Sequence, residues 1–339
     1  MMTKTKNFPS IYDVARAAGV SPSTVSRYLN RTTFVSDEKS ANIERAIVET
    51  GYKPSYKVNT EKKGRTMTIG VLVQHPDSPY NVRILNDLEY SLKARGYSLV
   101  IATGHWQRKL EKHSLEYLAK SGVDGVIIVA GDISDEDIIA YAKHTPVVAV
   151  GYEVEGKNVC SISFDNVLGG YIATLHLLQQ GHVNIAHIKG LHTQPDTHAR
   201  YEGYKKALSE AGINVNQKLV KQGNFSSEQG YEKTVELIKS KDYFSAIFAA
   251  NDQTAYGAIK ALTENGYKVP EDVSVIGFDD LPTSTFFTPS LTTLRQPIEE
   301  LGKVCGDTIL KMLNLEELDV RVPPIDLVVR QSTLSLFKR

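Results

Sequence analysis

The sequence predicts an N-terminal all-α helix-turn-helix headpiece, followed by an α/β core of two similar Rossmann-like lobes. Three observations carry this. Residues 11–30, IYDVARAAGVSPSTVSRYLN, hold two short apolar helical patterns separated by a glycine turn. From Thr66 onward, short apolar runs alternate with amphipathic stretches, the pattern of a parallel sheet covered by helices on both faces. That alternation runs through twice, with like order and length.

In the first helix, Ile11, Val14, Ala15 and Ala18 fall at i, i+3, i+4 and i+7 and form one apolar face. Gly19 supplies a left-handed turn residue, and Val20 returns an apolar side chain to the core. Ser21 reads as an N-cap and Pro22 as the first residue of the second helix. That helix buries Val25 and Leu29 and leaves Ser23, Thr24, Ser26 and Arg27 on its outer, N-terminal part. Small polar and basic residues opening the second helix of such a pair suit entry into a DNA major groove. A plain helical hairpin shares the outline. A loop over 31–35 leads to a third helix, with Ser36 as N-cap and Asp37 and Glu38 in the first turn, where the helix dipole favours acids. Its inner face is Ile43, Ala46, Ile47 and Thr50, and Gly51 ends it. Residues 52–65, YKPSYKVNTEKKGR, carry too few apolar positions to pack alone and read as a linker or conditionally folded hinge.

In the core, strands are expected at 68–73, 97–102, 125–130 and 146–151, with helices near 81–95, 109–120 and 135–142. After a further strand at 160–164, a second series has strands at 184–190, 219–222, 245–250 and 273–278, and helices at 169–180, 199–211, 228–240 and 254–264. Segments 292–313 and 326–331 are left over, so the chain should cross between lobes near 162–165, 289–293 and 322–326. The expected division is headpiece 1–58, hinge 59–66 and core 67–339, with an N-lobe of 67–163 plus 292–324 and a C-lobe of 164–291 plus 325–339.

Formal net charge is zero over 339 residues, but residues 1–65 carry twelve Lys and Arg against six Asp and Glu, or 12 − 6 = +6. The remainder therefore sums to −6. A basic head on an acidic body points to a polyanion as partner for the head alone. Cys160 and Cys305 lie far apart in a chain without a secretory leader pattern, so both read as reduced thiols, Cys160 inside a buried strand. No apolar run approaches the roughly 18 residues of a membrane span, and the cytoplasm is the expected compartment.

Ligands of open α/β sheets bind outside the carboxyl ends of the strands. Those ends carry Pro79-Tyr80-Asn81, His105-Trp106, Asp165-Asn166, residues 193–200, Phe225, Asn251-Asp252 and Asp279-Asp280. Aromatic, amide, carboxylate and arginine groups together suit a small polyhydroxylated ligand, with hydroxyls gripped by the polar groups and C–H faces stacked on rings. Duller roles compete: Trp106 and Phe225 as packing residues, Asn251 and Asp252 as caps of the next helix. Arg200 stands at an expected helix start, where a cation gains nothing from the dipole, which favours a specific partner. Walker A, G-x-G-x-x-G, G-x-S-x-G and H-E-x-x-H motifs do not occur, and the nine histidines lack ligand spacing; His182 and His187 read as structural. Catalysis, cofactors and metals are not expected.

The helix-turn-helix sequence, the Val35-Ser36 helix and GYKP (51–54) resemble the headpiece of the LacI/GalR family of bacterial transcription regulators. The resemblance continues through GHVNIAHIKG (181–190), RYEGYKKAL (200–208), ANDQTAYGAIKAL (250–262), DVSVIGFDD (272–280) and PSLTTLRQP (289–297). It implies a core like type I periplasmic sugar-binding proteins and a homodimer, or tetramer, whose face includes the first core helix. It implies base reading by Pro22, Ser23 and Arg27, phosphate contact by Thr24 and Ser26, and further DNA contacts by Ser21, Asn30, Tyr56 and Lys57. It places effector contacts on Tyr80, Asn81, Trp106, Gln194, Asp196, Arg200, Phe225, Asn251 and Asp279. One departure stands out: where the family's hinge carries a leucine that wedges into the minor groove, this chain has Glu61. A carboxylate meets phosphate repulsion there, so the hinge either reads DNA through Lys57, Lys62 and Lys63 or leaves it unkinked.

The function expected is a repressor on double-stranded operator DNA, controlled by a small molecule held between the lobes, a mono- or disaccharide ahead of a nucleobase or nucleoside. A solute-binding receptor without operator function is the competing class, and residues 1–65 argue against it by putting a reading head where an exported receptor needs a signal sequence.

Overall fold

The computed structural model describes residues 9–30, 33–52 and 64–338, without the side chains of Asn30 and Lys338. Tyr56, Lys57, Glu61, Lys62 and Lys63 lie outside the described residues. The chain divides into two compact units, 1–66 and 67–339.

The first unit holds α1 (Ile11–Ala18), α2 (Pro22–Asn30) and α3 (Asp37–Thr50). Val14, Ala15, Ala18, Val25, Ile43 and Ala46 form its buried core, with Leu29, Val20 and Ile47 packed around it. The Asp13 carboxylate accepts from the Ser10 N–H at 2.8 Å and the Ser10 hydroxyl at 2.6 Å, closing the start of α1. Gly19 ends α1 at φ 66°, and the Val20 N–H then reaches the Ala15 carbonyl at 3.0 Å, turning the chain into α2. Ser36 occupies the N-cap position of α3, but its hydroxyl makes no cap bond; its carbonyl accepts from Ser40 instead.

The second unit begins with β1 (Thr68–Val73), α4 (Pro79–Lys93), β2 (Ser98–Thr103), α5 (Arg108–Lys120), β3 (Gly125–Val129), α6 (Asp135–Ala142), β4 (Val147–Val150) and β5 (Val159–Ile162). It continues with α7 (Asn166–Gln179), β6 (Ile185–Lys189), α8 (Pro195–Glu210), β7 (Val220–Gln222), α9 (Ser227–Ser240), β8 (Ala246–Ala249), α10 (Asp252–Glu264) and β9 (Ser274–Asp279). A short α11 (Thr283–Phe286), β10 (Thr292–Arg295), α12 (Ile298–Asn314) and β11 (Asp326–Val328) complete it.

The N-lobe sheet runs β2-β1-β3-β4-β5, all parallel. The C-lobe sheet runs β11-β10-β9-β8-β6-β7, parallel except for β11 at its edge. Read from β7, the C-lobe repeats the N-lobe order with β10 as its fifth strand. Each sheet is covered on both faces. In the N-lobe, Ile84, Leu88 and Leu92 of α4 and Leu301, Cys305 and Ile309 of α12 pack one face, and Leu115, Leu118 and Ile138 of α5 and α6 pack the other. In the C-lobe, α7 and α8 bring Ala173, Leu177, Tyr204 and Leu208 to one face, while α9 and α10 bring Leu237, Ala258, Ile259 and Leu262 to the other.

The structure corrects the expected crossing near 289–293. Thr292–Arg295 pairs with β9 in register Thr292↔Ile276 to Arg295↔Asp279, so it belongs to the C-lobe, and the crossing falls between Arg295 and Ile298. The cause is polar: Thr292 and Thr293 are fully buried, with the Thr293 hydroxyl donated to Asp252 and the Thr292 N–H donated to Ser332 Oγ. Cys160 is only half-buried, on the edge strand β5, whereas Cys305 is buried in α12; both are free thiols. Among the described residues, no helix is long and apolar enough to cross a membrane.

Candidate functional site

In the headpiece, Ser21 Oγ accepts the Thr24 N–H at 3.2 Å and lies 2.8 Å from the hydroxyls of both Ser23 and Thr24. Capping thus fixes the start of α2 and gathers three hydroxyls there. Ser23 and Arg27, four residues apart on one face, are exposed, while Pro22, Thr24 and Ser26 are half-buried.

In the core, the carboxyl ends of the strands enclose a cavity of about 600 Å³. Tyr80, Asn81, Trp106, Asp196, Arg200, Phe225, Asn251 and Asp279 all line it. Gln194 does not; its amide is turned to the Gly131 carbonyl, 2.9 Å away. Helix α8 starts at Pro195, so Arg200 sits in its second turn rather than at a helix start.

Arg200 is the best-anchored of these groups, with 4 % exposure. Its Nε donates to Asn166 Oδ1 at 2.9 Å and its Nη1 to the Ala250 carbonyl at 2.6 Å. The guanidinium lies over the Phe278 ring, 3.8 Å from its centroid, and its Nη2 is 3.8 Å from Asp196. Asn166 also donates to Asp196 Oδ1 at 3.0 Å, so one buried amide aligns both charges. Burial pushes the Asp196 carboxyl up and Arg200 pulls it back. Burial likewise raises Asp279 well above the usual carboxylate range, opposed by Arg200. One Asp279 oxygen accepts from Gln296 Nε2 at 2.7 Å.

Asn251 caps α10, its Oδ1 accepting from the Thr254 N–H at 2.9 Å and the Thr254 hydroxyl at 2.7 Å, which aims its Nδ2 donors elsewhere. Asp252 is structural: fully buried, it accepts from Leu281 N–H, Ser284 and Thr293. Asp280 faces away from the cavity and pairs with Arg295 at 2.7 Å and Arg330 at 2.6 Å. Asp165 caps α7 through the Leu168 N–H.

Four residues that line the cavity, Trp106, Ala130, Phe225 and Asp279, have positive φ although none is glycine. Such conformations persist where surrounding structure enforces them, and they cluster at binding sites. The Phe225 ring lies against Gly190, where a Cβ would come within 2.0 Å of it. The strand-end reading missed Gln74, His75, Asp77, Leu191, Asn224, Glu228, Gln253 and Gln296 in the lining. Gln74 follows β1 directly and could have been found by extending that strand end by one residue; Gln296 could not, because its position depends on β10 pairing with β9.

Residues 10–55 match bacterial regulatory proteins of the lacI family, and residues 174–333 match a periplasmic binding protein-like domain. The chain is 35 % identical over 330 residues to the HTH-type transcriptional repressor PurR of Pasteurella multocida, covering 96 % of this chain and 99 % of that one. It is similar to the transcriptional regulator CelR in complex with cellobiose (31 % identity, TM-score 0.71, 96 % of this chain and 99 % of that one). It is also similar to the lac repressor dimer bound to operator and an anti-inducer (28 % identity, TM-score 0.73, 97 % and 100 % coverage). The chain belongs to the lacI family of bacterial regulatory proteins, and it is a DNA-binding transcription repressor whose operator affinity answers to a small-molecule effector.

Proposed function

We propose that the effector is a mono- or disaccharide, bound between the lobes, and that it releases a homodimer from a pseudo-palindromic operator. The observation that carries the ligand class is the cavity lining. Arg200, Asp196, Asp279 and Asn251 offer donors and acceptors in fixed directions, and Tyr80, Trp106 and Phe225 offer ring faces. Paired polar groups with apolar faces fit a sugar's hydroxyls and C–H surfaces. The CelR relative, which holds cellobiose, supports this reading. A nucleobase is the second reading, favoured by the same three rings, since a planar base stacks on them as well. The cleft acts by binding alone, without turnover, and the protein works in the cytoplasm, on the nucleoid.

On DNA, Pro22, Ser23 and Arg27 read bases, Ser21, Thr24, Ser26 and Asn30 hold phosphates and register, and Tyr56 and Lys57 add contacts from the hinge side. The effector acts by binding two core states unequally, which shifts the population competent for the operator.

A thermal-shift screen of full-length protein against sugars, nucleosides and nucleobases tests the ligand class, because binding to the native state raises apparent stability by mass action. A sugar should raise the transition and weaken operator binding, and Arg200→Ala should abolish both effects while still binding operator. A shift with nucleobases and none with sugars rejects the sugar reading, and a sugar that tightens operator binding rejects the sign of the response.

A further inference from the structure

Gln194 breaks a local rule. It holds the N-cap position of α8, where Ser, Thr, Asp or Asn would satisfy a free N–H, and its side chain makes no cap bond. Instead its buried carboxamide donates to the Gly131 carbonyl at 2.9 Å. Gly131 follows β3 in the N-lobe and Gln194 precedes α8 in the C-lobe, so the bond joins the lobes directly, apart from the covalent crossings.

The acceptor loop is held in turn. Gln74 donates to the Ala130 carbonyl at 3.0 Å, and its Oε1 accepts the Trp106 N–H at 2.7 Å. Fully buried Glu111, on α5, accepts the Asp132 N–H at 2.8 Å. Burial raises the Glu111 carboxyl, opposed by hydrogen bonds from the Asp132 and Ile133 backbone and from Gln74. A Cβ at Gly131 would stand 2.6 Å from Gln74 Nε2, 2.7 Å from the Tyr152 hydroxyl and 2.9 Å from Glu111 Oε2. The network therefore closes around residue 131 with no room for a side chain, and this fixes where its carbonyl points.

From this geometry we infer that Gln194 is an interlobe clasp, with Gln74 and Glu111 as positioning residues that aim the Gly131 carbonyl at it. The clasp stabilises the lobe arrangement described here before any ligand arrives. If an effector binds only this arrangement, its apparent affinity scales with the fraction of protein that holds it, so the clasp sets affinity by the same factor for every ligand. This last step rests on the proposed effector site; the clasp itself does not.

Amide hydrogen exchange on ligand-free, full-length protein tests the clasp. Gln194→Ala and the shorter Gln194→Asn should speed exchange at Trp106 and Asp132, across the cleft, by roughly two- to tenfold, the effect of losing one net hydrogen bond. Amides of β4 and β5 should not change. Glu111→Gln should speed exchange at the same N-lobe positions. Unchanged exchange at Trp106 and Asp132 in both Gln194 variants overturns the clasp. Cellobiose and glucose then serve as probes of affinity: a common factor of weakening supports the clasp, while unequal factors overturn it in favour of direct contact with ligand. If neither sugar binds wild type, the exchange result still decides the clasp.

Discussion

At the scale of single residues, burial decides which polar groups can respond to pH. His187 lies within β6, 1 % exposed, stacked on Tyr201, Tyr204 and Phe248 with centroid distances of 5.8, 5.1 and 4.6 Å. Its Nδ1 bonds the Phe248 carbonyl at 2.9 Å, and its Nε2 has no hydrogen-bond partner. Burial pushes its pKa down from 6.5 to about 4. Between those values the unfolded chain holds the proton that the folded chain refuses, so stability falls as pH drops through that window. The loss is at most about 1.4 kcal/mol per pH unit. Urea denaturation of wild type and His187→Phe at pH 7 and pH 5 should show the smaller acid loss in the variant, and equal losses would clear His187 of this role.

At the scale of elements, helices α7 and α8 approach so closely that the site depends on their contact. A Cβ on Gly170 would lie 2.2 Å from the Arg200 carbonyl, and one on Gly203 would lie 2.1 Å from the Val167 carbonyl. Backbone stands opposite both, so neither neighbour can yield as a side chain would. Gly203→Ala should cost about 1–3 kcal/mol by overpacking, and it should weaken effector binding by displacing Arg200. Gly156→Ala, whose Cβ would make ordinary contacts at 3.4 Å, serves as the control in the same urea titration; equal costs would reject the close-contact account. These elements were largely legible in the sequence. Apolar periodicity located the helices and most strands, and eight of the nine effector positions implied by the family resemblance line one cavity, whereas the wider strand-end set also took in Asp165, Asp252 and Asp280, which do not. What escaped was long-range. The run TTLR has no alternating apolar pattern, and partners distant in sequence make its buried threonines acceptable: Asp252 for Thr293, and Ser332, Thr333 and the Arg330 N–H for Thr292. Gln194 escaped for the same reason: nothing local says that its amide reaches another lobe.

At the scale of the whole molecule, charge and chemistry are divided between the two compact units. The first 65 residues carry +6 and the remainder −6. Operator affinity should therefore fall by roughly 10³–10⁵ between 50 and 200 mM salt if some six to ten phosphates are contacted. Binding of an uncharged sugar in the core should hardly move over the same range. Fluorescence titrations of both ligands across that series check this, and a salt-insensitive operator complex would contradict it. The order of the segments has a further result, for synthesis. The three headpiece helices leave the ribosome first, but β10, α12 and β11 all follow residue 291. The N-lobe waits for α12 to cover one face, and the C-lobe waits for β10 and β11 to complete its sheet. A nascent chain thus carries its three-helix headpiece long before either half of its control unit can close, and a message cut short near residue 290 would encode that headpiece with neither lobe complete.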